Sequence, residues 1–410
     1  MLLTLHKSTL VENPPKIVIT GSKSESNRLL LLQALYPELQ IQNVSNSDDS
    51  EVMQKALKST SNLIDINHAG TAMRFLTAFF STQEGREITI TGSARMKERP
   101  IQVLVEALNA LGADISYLEA EGCPPLRING KSLQKDQVTL KANVSSQYIS
   151  ALLLIAPKLN NGLELTLEGE ITSVPYINMT LDLLNQIGVE TSFENNKIKV
   201  SPLKSLNAYQ KALTVESDWS SASYFYSIVA LAPVGTEITL SSYKKDSLQG
   251  DSVLATIYTD FGVVTTFDNN SITLSKKTDC LLQTVDCQLK NAPDIAQTIA
   301  VTCFGLGVGC HLTGLHTLKI KETDRLVALK TELEKLGAQV EITNDSLKLK
   351  SSANITDHVA IGTYHDHRMA MAFAPLGLKT NLQIEDAMVV SKSYPTFWED
   401  LKAIGFKIAK

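Results

Sequence analysis

Residues 21–28 read Gly-Ser-Lys-Ser-Glu-Ser-Asn-Arg, and they open a helix whose next seven residues are Leu-Leu-Leu-Leu-Gln-Ala-Leu. The apolar segment 17–20 in front of them predicts a strand. A glycine turn that opens a buried helix leaves the first backbone N–H groups unpaired and places the positive end of the helix dipole at the turn. With an ammonium, a guanidinium and several hydroxyls, that end predicts an anion site. For this segment alone, the alternative is a serine-capped helix with two solvated cations.

The same arrangement recurs along the chain. Glycines that end amphipathic stretches return roughly every 75 residues, and most of them precede an alternating, hairpin-like segment: Gly112, Gly188, Gly262, Gly337 and Gly405. Polar turns that open apolar helices recur in step, near residues 23, 68, 143, 216, 291 and 364. Strand, buried helix, strand, amphipathic helix and hairpin therefore form one unit. The sequence predicts six such βαβαββ units, the first of them short by about a hairpin.

This repeat predicts an α/β fold in two domains. Helices that are apolar all round must lie inside a ring of sheets, with the amphipathic helices sharing the interior through one face. Six units divide naturally into three and three. We expect one domain to span residues 21–215, with repeats 1–3, and the other to combine residues 1–20 with residues 216–410, with repeats 4–6. Because the polar turns carry many cations and hydroxyls, we expect the two domains to share a cleft.

Composition excludes several classes of partner. The net charge is −5 and aromatic residues make up 6 %, so neither nucleic acid nor a membrane surface is an expected partner. Five cysteines without a C-x-x-C pair fit reduced thiols, and the first residues lack the pattern of a signal peptide. We expect a cytoplasmic protein that acts as a monomer on small molecules.

Eight cations lie in the predicted turns rather than on amphipathic faces: Lys23, Arg28, Arg74, Arg99, Lys321, Arg325, Arg368 and Lys392. Two such charges 4 Å apart repel by ~4 kcal/mol at an effective dielectric constant of 20. A fold tolerates such a set when anions neutralise it, and arginines bind phosphate and carboxylate through paired hydrogen bonds. We therefore predict a small ligand with several negative charges, and the serines and Gln147 suit its hydroxyl groups.

Two carboxylates lie in these turns. Asp294 precedes an apolar helix and Glu322 stands among cations, so they are candidates for a base and an acid on either side of a reacting centre. The alternatives are a helix cap for Asp294 and a salt-bridge partner for Glu322. His365 and His367 suggest a metal, but no third ligand with usable spacing stands out, and we expect none. No recognised nucleophile motif is present, so covalent catalysis is not indicated.

Six motifs, in the family's order, resemble those of the 5-enolpyruvylshikimate-3-phosphate synthase family. They are Gly-Ser-Lys-Ser-Glu-Ser-Asn-Arg (21–28), Ala-Gly-Thr-Ala-Met-Arg (69–74), Arg-Met-Lys-Glu-Arg-Pro (95–100), Ser-Ser-Gln (145–147), Lys-Glu-Thr-Asp-Arg (321–325) and Asp-His-Arg-Met-Ala-Met (366–371). The resemblance implies two domains of three βαβαββ units that close around the ligands. It implies transfer of the enolpyruvyl group of phosphoenolpyruvate to the 5-hydroxyl of shikimate 3-phosphate, in the shikimate pathway, with no cofactor. Phosphate would leave from a tetrahedral intermediate.

The resemblance also implies roles for individual residues. Asp294 would take the hydroxyl proton, Glu322 would protonate the methylene carbon, and Lys23 would contact both substrates. The implied shikimate 3-phosphate contacts are Lys23, Ser24, Arg28, Ser145, Ser146, Gln147, Ser173, Tyr176, Asp294 and Lys321. The implied phosphoenolpyruvate contacts are Lys23, Gly70, Arg99, Gln147, Arg325, Arg368 and Lys392.

The chain departs from the family pattern at a few positions. His68 and Phe75 stand where the family usually has Asn and Pro, on either side of Gly70, and Thr317 replaces an Asn. The first two changes bear on the fit of analogues such as glyphosate. Two alternatives stay open: the sister enzyme that acts on UDP-N-acetylglucosamine, and a catalytically inactive anion-binding paralogue. The sister enzyme uses a loop cysteine and an Asn-rich first motif, whereas here Cys123 precedes two prolines.

Overall fold

A computed structural model describes residues 1–141, 145–169, 171, 174–206 and 212–410. It divides the chain into two compact units, one made of Met1–Thr20 with Glu216–Lys410 and the other of Gly21–Val215. We call these unit 1 and unit 2 and describe each by itself. In the part of the chain that the structure describes, no helix combines the length and apolar character needed to cross a membrane.

Helices and strands alternate along the chain. The helices are α1 (Lys23–Leu35), α2 (Asp48–Lys58), α3 (Gly70–Ser81), α4 (Ala94–Lys97), α5 (Gln102–Leu111), α6 (Ser146–Ile155), α7 (Val174–Gln186), α8 (Trp219–Leu231), α9 (Leu254–Ile257), α10 (Ala296–Leu306), α11 (Arg325–Lys335), α12 (His367–Phe373) and α13 (Phe397–Ala403). The strands are β1 (Leu3–His6), β2 (Gln40–Gln42), β3 (Leu63–Asp65), β4 (Glu87–Thr91), β5 (Asp114–Tyr117), β6 (Leu126–Asn129), β7 (Gln137–Lys141), β8 (Leu163–Glu168), β9 (Thr191–Glu194), β10 (Lys197–Val200), β11 (Ala212–Thr214), β12 (Glu237–Ser241), β13 (Val263–Asp268), β14 (Ser271–Lys276), β15 (Thr284–Gln288), β16 (Gly309–Thr313), β17 (Val340–Ile342), β18 (Leu347–Leu349), β19 (Val359–Ile361), β20 (Leu382–Ile384) and β21 (Lys407–Ala409).

One sheet pattern repeats in both units. In β3-β4-β6-β5, β7-β8-β10-β9 and β15-β16-β18-β17, two parallel strands joined through a buried helix are followed by an antiparallel hairpin. The sheet β19-β20-β1-β21 has the same order, but the N-terminal strand β1 takes the inner hairpin position. These sheets confirm the predicted βαβαββ unit and the α/β class. In the first βαβαββ repeat, which lies in unit 2, α2 leads to β3 without a hairpin, as the spacing predicts.

The register places alternate apolar residues on one face of each sheet. In unit 2, Ile88 on β4 and Ile115 on β5 both lie opposite Ile128 on β6, and all three are buried. Their chain neighbours point to the other face because successive side chains alternate along a strand. Burying one face in this way fixes the pairing, since a slip by one residue would expose the whole set.

The helices that lie between parallel strands form the cores of the units. Every residue of α8 is buried, and in α3 all but Thr71 are. The five glycines predicted to end helices all have positive φ, between 78° and 116°, which confirms the left-handed position that glycine takes without a steric penalty. Four helices, α5, α7, α11 and α13, end within two residues of their glycine as predicted, whereas α9 ends at Ile257, five residues before Gly262.

The predicted strand at residues 17–20 is wrong. Only Ile17 pairs with a neighbour, through a single parallel bridge to Leu240, and Val18 is exposed. Ile17 and Ile19 are buried, so the apolar residues were recognised correctly. Beyond Ile17 the backbone carbonyls have other partners: that of Ile19 accepts a hydrogen bond from the Ser217 hydroxyl, and that of Thr20 accepts one from the Asp218 backbone.

Candidate active site

In unit 2, the predicted site residues lie at the N-termini of three interior helices. Ser22 caps α1, and Ser145 caps α6 by accepting a hydrogen bond from the Gln147 backbone at 3.4 Å. The Gln147 side chain donates to the Thr71 hydroxyl at 3.2 Å, which joins the first turns of α6 and α3. Ser146 is buried and Ser145 is exposed beside it. The structure therefore brings the 69–74 and 145–147 motifs together.

The start of α3 faces a guanidinium group. A Cβ atom added to Gly70 would lie 2.6 Å from Nη1 of Arg99, so only glycine allows this approach. The N-terminus of a helix carries a partial positive charge, and a cation there is unfavourable unless an anion joins the two. The structure therefore brings Gly70 and Arg99 together, and their binding of an anion stays a prediction.

Lys23 begins α1, and its Nζ lies 3.4 Å from Oδ2 of Asp49 on α2. Asp49 is buried, whereas about a third of the Lys23 side chain is exposed. The ammonium is thus oriented by a carboxylate and remains open to solvent on one side. No sequence pattern singled out Asp49, because it lies at the start of an ordinary amphipathic helix.

Arg28 is buried, and it donates hydrogen bonds to the protein itself. Its Nε donates to Thr180 at 2.8 Å, and its Nη groups donate to the Ser24 carbonyl at 2.7 Å, Ser150 at 2.9 Å and the Tyr176 carbonyl at 3.3 Å. Burial lowers its pKa to about 10, against the charges of its neighbours. In this structure Arg28 ties α1 to α6 and α7, and its contact with a substrate stays a prediction.

Two aromatic rings flank the same guanidinium. The Arg28 Cζ lies 5.4 Å from the Phe75 ring and 5.9 Å from the Tyr176 ring. Phe75, which replaces the family's usual proline, is fully buried, so this departure adds a cation–π partner beneath Arg28. Ser173 lies outside the described residues.

In unit 1, a cluster of carboxylates surrounds Arg325, whose side chain is 2 % exposed. Its Nη1 donates to Asp294 at 2.8 Å, its Nη2 to Glu322 at 2.7 Å, and its Nε to Asp366 at 2.6 Å. Burial works against the charge, but Asp366, Glu322 and Asp294 outweigh it and raise the Arg325 pKa. The two predicted catalytic carboxylates therefore bind the two terminal nitrogens of one guanidinium.

Asp294 is also held by two further cations. Its Oδ1 lies 3.5 Å from Nζ of Lys321, and its Oδ2 accepts a hydrogen bond from Nη2 of Arg368 at 3.3 Å. Burial opposes the charge of Arg368, yet Asp294 and other acidic neighbours raise its pKa well above its usual value. Lys321, Arg325 and Arg368 therefore converge on this one carboxylate.

The site residues of unit 1 lie in loops that follow two pairs of parallel strands, one pair in each of two sheets. Asp294 follows β15, and the 321–325 motif follows the neighbouring parallel strand β16. Arg368 follows β19 and Lys392 follows its parallel neighbour β20. Because parallel strands end at the same edge of a sheet, their following loops are neighbours.

Local capping then fixes where α11 and α12 begin. Asp324 accepts hydrogen bonds from the backbone of residues 326 and 327, and Asp366 accepts one from the Arg368 backbone at 2.9 Å. Lys392 lies beside this cluster and donates to the His365 carbonyl at 2.8 Å. Among the described residues, no group of three or more His, Cys, Asp or Glu side chains is placed to hold a metal ion.

The charge balance of unit 1 corrects one sequence-based expectation. We expected the clustered cations to depend on ligand anions for neutralisation. Instead Lys321, Arg325 and Arg368 are matched by three carboxylates of the protein: Asp294, Glu322 and Asp366. Asp366 was visible in its motif, but its pairing with Arg325, 41 residues away, was not. A ligand anion would therefore exchange with carboxylates already present rather than fill an unneutralised site.

Residues 58–401 match the sequence profile of a family described as EPSP synthase (3-phosphoshikimate 1-carboxyvinyltransferase). A Bacteroides fragilis protein named 3-phosphoshikimate 1-carboxyvinyltransferase is 48 % identical over 399 residues, covering 96 % of this chain and 95 % of the relative. The chain belongs to the EPSP synthase family. A Mannheimia haemolytica protein of the same name is 35 % identical over 439 residues, and the match covers 99 % of this chain and 99 % of the relative.

Solved structures confirm that the chain has the EPSP synthase fold. The structure of EPSP synthase from Acinetobacter baumannii superposes with a TM-score of 0.82, at 21 % identity, over 100 % of both chains. The enolpyruvyl transferase NikO from Streptomyces tendae superposes with a TM-score of 0.74, at 12 % identity, over 100 % of this chain and 98 % of NikO. At these identities the likeness concerns the fold alone.

Proposed function

We propose that this chain is a 3-phosphoshikimate 1-carboxyvinyltransferase, which moves the enolpyruvyl group of phosphoenolpyruvate to the 5-hydroxyl of shikimate 3-phosphate and releases phosphate. Family membership supports the reaction. The observation in the structure that carries the proposal is the placement of Asp294 and Glu322 on one buried guanidinium, that of Arg325. Two carboxylates held side by side in different surroundings suit a base and an acid.

The environments of the two carboxylates suit different tasks. Asp294 is 15 % exposed and contacts three cations, and it is the candidate acceptor of the hydroxyl proton. Glu322 is 34 % exposed and contacts Arg325, and it is the candidate proton donor.

The proposed reaction has two steps. In the first, the 5-hydroxyl oxygen bonds to C2 of phosphoenolpyruvate, its proton passes to Asp294, and C3 takes a proton from Glu322. This gives a tetrahedral intermediate. In the second, the bond from C2 to the phosphate oxygen breaks and C3 returns a proton to the Glu322 carboxylate, which restores the double bond. The proton held by Asp294 leaves with the phosphate, so both carboxyl groups return to their starting states. We propose that Arg325, Arg368 and Lys392 stabilise the carboxylate and phosphate of phosphoenolpyruvate as charge moves, and that Lys321 contacts shikimate 3-phosphate.

Unit 2 supports the binding of anionic groups. The Lys23 side chain is 29 % exposed, and Arg99 lies over the first turn of α3. Ser24, Ser145, Ser146, Gln147 and Tyr176 lie in the first turns of α1, α6 and α7 and are proposed as contacts of shikimate 3-phosphate. We propose Arg28 as a contact too, through its remaining Nη1 hydrogen. A monomer in solution is part of the proposal and predicts a mass near 44.8 kDa by light scattering.

The decisive experiment measures phosphate release with shikimate 3-phosphate and phosphoenolpyruvate. We expect turnover with this pair and none with UDP-N-acetylglucosamine in place of shikimate 3-phosphate. Glu322→Gln should reduce kcat by roughly 10²–10⁴, the usual contribution of a general acid, while leaving substrate binding largely intact. Glu334→Gln is the matched control, because Glu334 lies on the exposed face of α11 and pairs with Lys330.

The outcomes separate the alternatives. Turnover of UDP-N-acetylglucosamine alone would assign the chain to the sister activity. Binding of both substrates without phosphate release would favour the inactive paralogue. An unchanged rate in Glu322→Gln would remove Glu322 from the reaction while leaving the assignment of the substrates in place.

A further inference from the structure

Glu332 is a fully buried carboxylate in the middle of α11, away from the reacting groups proposed above. Its Oε1 accepts a hydrogen bond from the Tyr364 hydroxyl at 2.6 Å, and its Oε2 accepts one from the Gly362 backbone at 3.0 Å. Lys335, one turn further along the helix, balances its charge at 2.7 Å. A buried charge is costly unless it is paired and hydrogen-bonded, and Glu332 is both.

Gly362 and Tyr364, the two hydrogen-bond donors to Glu332 named above besides Lys335, belong to one turn, residues 362–366, which leads into α12. Tyr364 and His365 in this turn have φ angles of 53° and 56°. Two consecutive residues with side chains in the left-handed region are unfavourable, and they persist only where the surroundings hold them. The Glu332 hydrogen bonds lie directly at this strained backbone.

The 362–366 turn sets the position of three proposed phosphoenolpyruvate contacts. The His365 carbonyl accepts a hydrogen bond from Nζ of Lys392 at 2.8 Å. The Asp366 carboxylate binds Nε of Arg325 at 2.6 Å and caps the helix turn that carries Arg368. A change in the φ angles of the turn would therefore move three things together: the carbonyl that binds Lys392, the carboxylate that binds Arg325, and the start of α12.

One helix holds this turn at two points. Arg325 and Glu332 are seven residues apart on α11, which is two helical turns, so both side chains lie on the same face. Arg325 binds Asp366 at the end of the turn, and Glu332 binds Gly362 at its beginning. The side chains of Arg325 and Glu332 are both buried, whereas Gly362 is half-buried and Tyr364 is 41 % exposed.

We propose that Glu332 and Tyr364 form a positioning pair that fixes the 362–366 turn and thereby places Lys392, Arg325 and Arg368 for phosphoenolpyruvate. This inference rests on the proposed function for its substrate. Neither residue touches the reacting atoms in the proposal, so both are positioning residues rather than catalytic ones.

Two further features of the turn agree with this role. A Cβ atom at residue 362 would lie 3.3 Å from Oε1 of Glu332, so glycine gives the carboxylate its close approach to the backbone. Burial, and next the hydrogen bond to Glu332, raise the pKa of Tyr364 to about 12. The hydroxyl therefore stays protonated and remains a donor at neutral pH.

The test uses the full-length chain and the variants Tyr364→Phe, Glu332→Gln and the double variant. Tyr226→Phe is the matched control, because it also removes one tyrosine hydroxyl bond inside unit 1, to Thr265, away from this turn. We expect Tyr364→Phe to raise KM for phosphoenolpyruvate ~5- to 10-fold and Glu332→Gln at least as much, the size expected for the loss of one ordinary hydrogen bond. KM for shikimate 3-phosphate should change less than about twofold. The double variant should resemble Glu332→Gln, because the two residues act through one bond.

A second readout does not depend on catalysis. Amide hydrogen exchange in residues 362–368 should be faster in Tyr364→Phe than in the unmodified chain, and unchanged in Tyr226→Phe. If the unmodified chain shows no turnover, the proposed function fails while this exchange result still decides whether the pair holds the turn. Unchanged exchange, or a fall in kcat with both KM values unmoved, would overturn the positioning role. Misfolding of Glu332→Gln would leave Tyr364→Phe to decide.

Discussion

Replacing Asp366 with asparagine tests the charge balance around Arg325. Asp366 is fully buried, binds Arg325 through two nitrogens and caps α12. Asparagine caps a helix about as well as aspartate, so the cap is retained and the substitution isolates the lost charge. The cluster of three cations and three carboxylates would then carry one net positive charge.

The expected magnitude follows from these contacts. Removing one partner of a buried ion pair costs roughly 3–5 kcal/mol. Asp294 and Glu322 still bind Arg325 in the variant, so we expect a loss at or just below the low end, about 2–3 kcal/mol. For a unit of about 200 residues, each kcal/mol lowers the midpoint of thermal unfolding by roughly 2–4 °C. The expected shift is therefore about 5–10 °C.

The assay is scanning calorimetry of the unmodified chain, Asp366→Asn and the control Asp324→Asn. Asp324 caps α11 but has no ion pair among those found in the described residues, so its amide variant should unfold within about 2 °C of the unmodified chain. Phosphoenolpyruvate should stabilise Asp366→Asn more than the unmodified chain, because the added anion restores neutrality. Equal midpoints for the two variants would refute the view that Asp366 stabilises the fold through its charge.

Three further substitutions test other parts of the molecule. Burial, and next the Asp294 carboxylate, raise the pKa of Asp251 to about 6. The stability that the protonated Asp251 contributes is therefore lost as the pH rises from about 4 through 6. Over that range the free energy of unfolding in urea should rise by ~2–3 kcal/mol for Asp251→Asn relative to the unmodified chain. Gly70→Ala would place a Cβ 2.6 Å from Arg99 Nη1 and displace that guanidinium, which we expect to raise KM for phosphoenolpyruvate about tenfold without lowering the thermal midpoint. Arg28→Lys cannot reproduce four hydrogen bonds from a planar group and should cost about 2–4 kcal/mol in chemical unfolding; a variant as stable as the unmodified chain would show that these bonds do not support the core.

Much of the fold could be predicted from local patterns. The five helix-ending glycines were found because a left-handed residue after an amphipathic stretch has a clear signature, and all five have positive φ. The interior helices were found because they lack a polar face. The prediction of a strand at residues 17–20 was wrong because apolar residues can be buried without pairing. Ile17 and Ile19 are buried, but only Ile17 has a neighbouring strand, to which it is joined by a single bridge.

The candidate site was predicted in part. The turns that hold Lys23, Gly70, Arg99, Arg325 and Arg368 were recognised from their cations and hydroxyls. Asp49 and Glu332 were missed because each occupies an ordinary position in an amphipathic helix. Arg28 was recognised as a cation, but its four protein acceptors lie as far as 152 residues away along the chain, and no local pattern reports them.

The repeat, the α/β class and the motifs that place this chain in its family could all be recognised in the order of residues, because helical and strand periodicities and turn residues act over a few neighbouring positions. Which charges neutralise one another became visible only in the folded chain. Asp366 meets Arg325 across 41 residues and Glu332 meets Tyr364 across 32, and in both cases the two residues follow strands of two different sheets. Whether a buried charge is an open binding group or a satisfied one depends on those distances, which the order of residues does not contain.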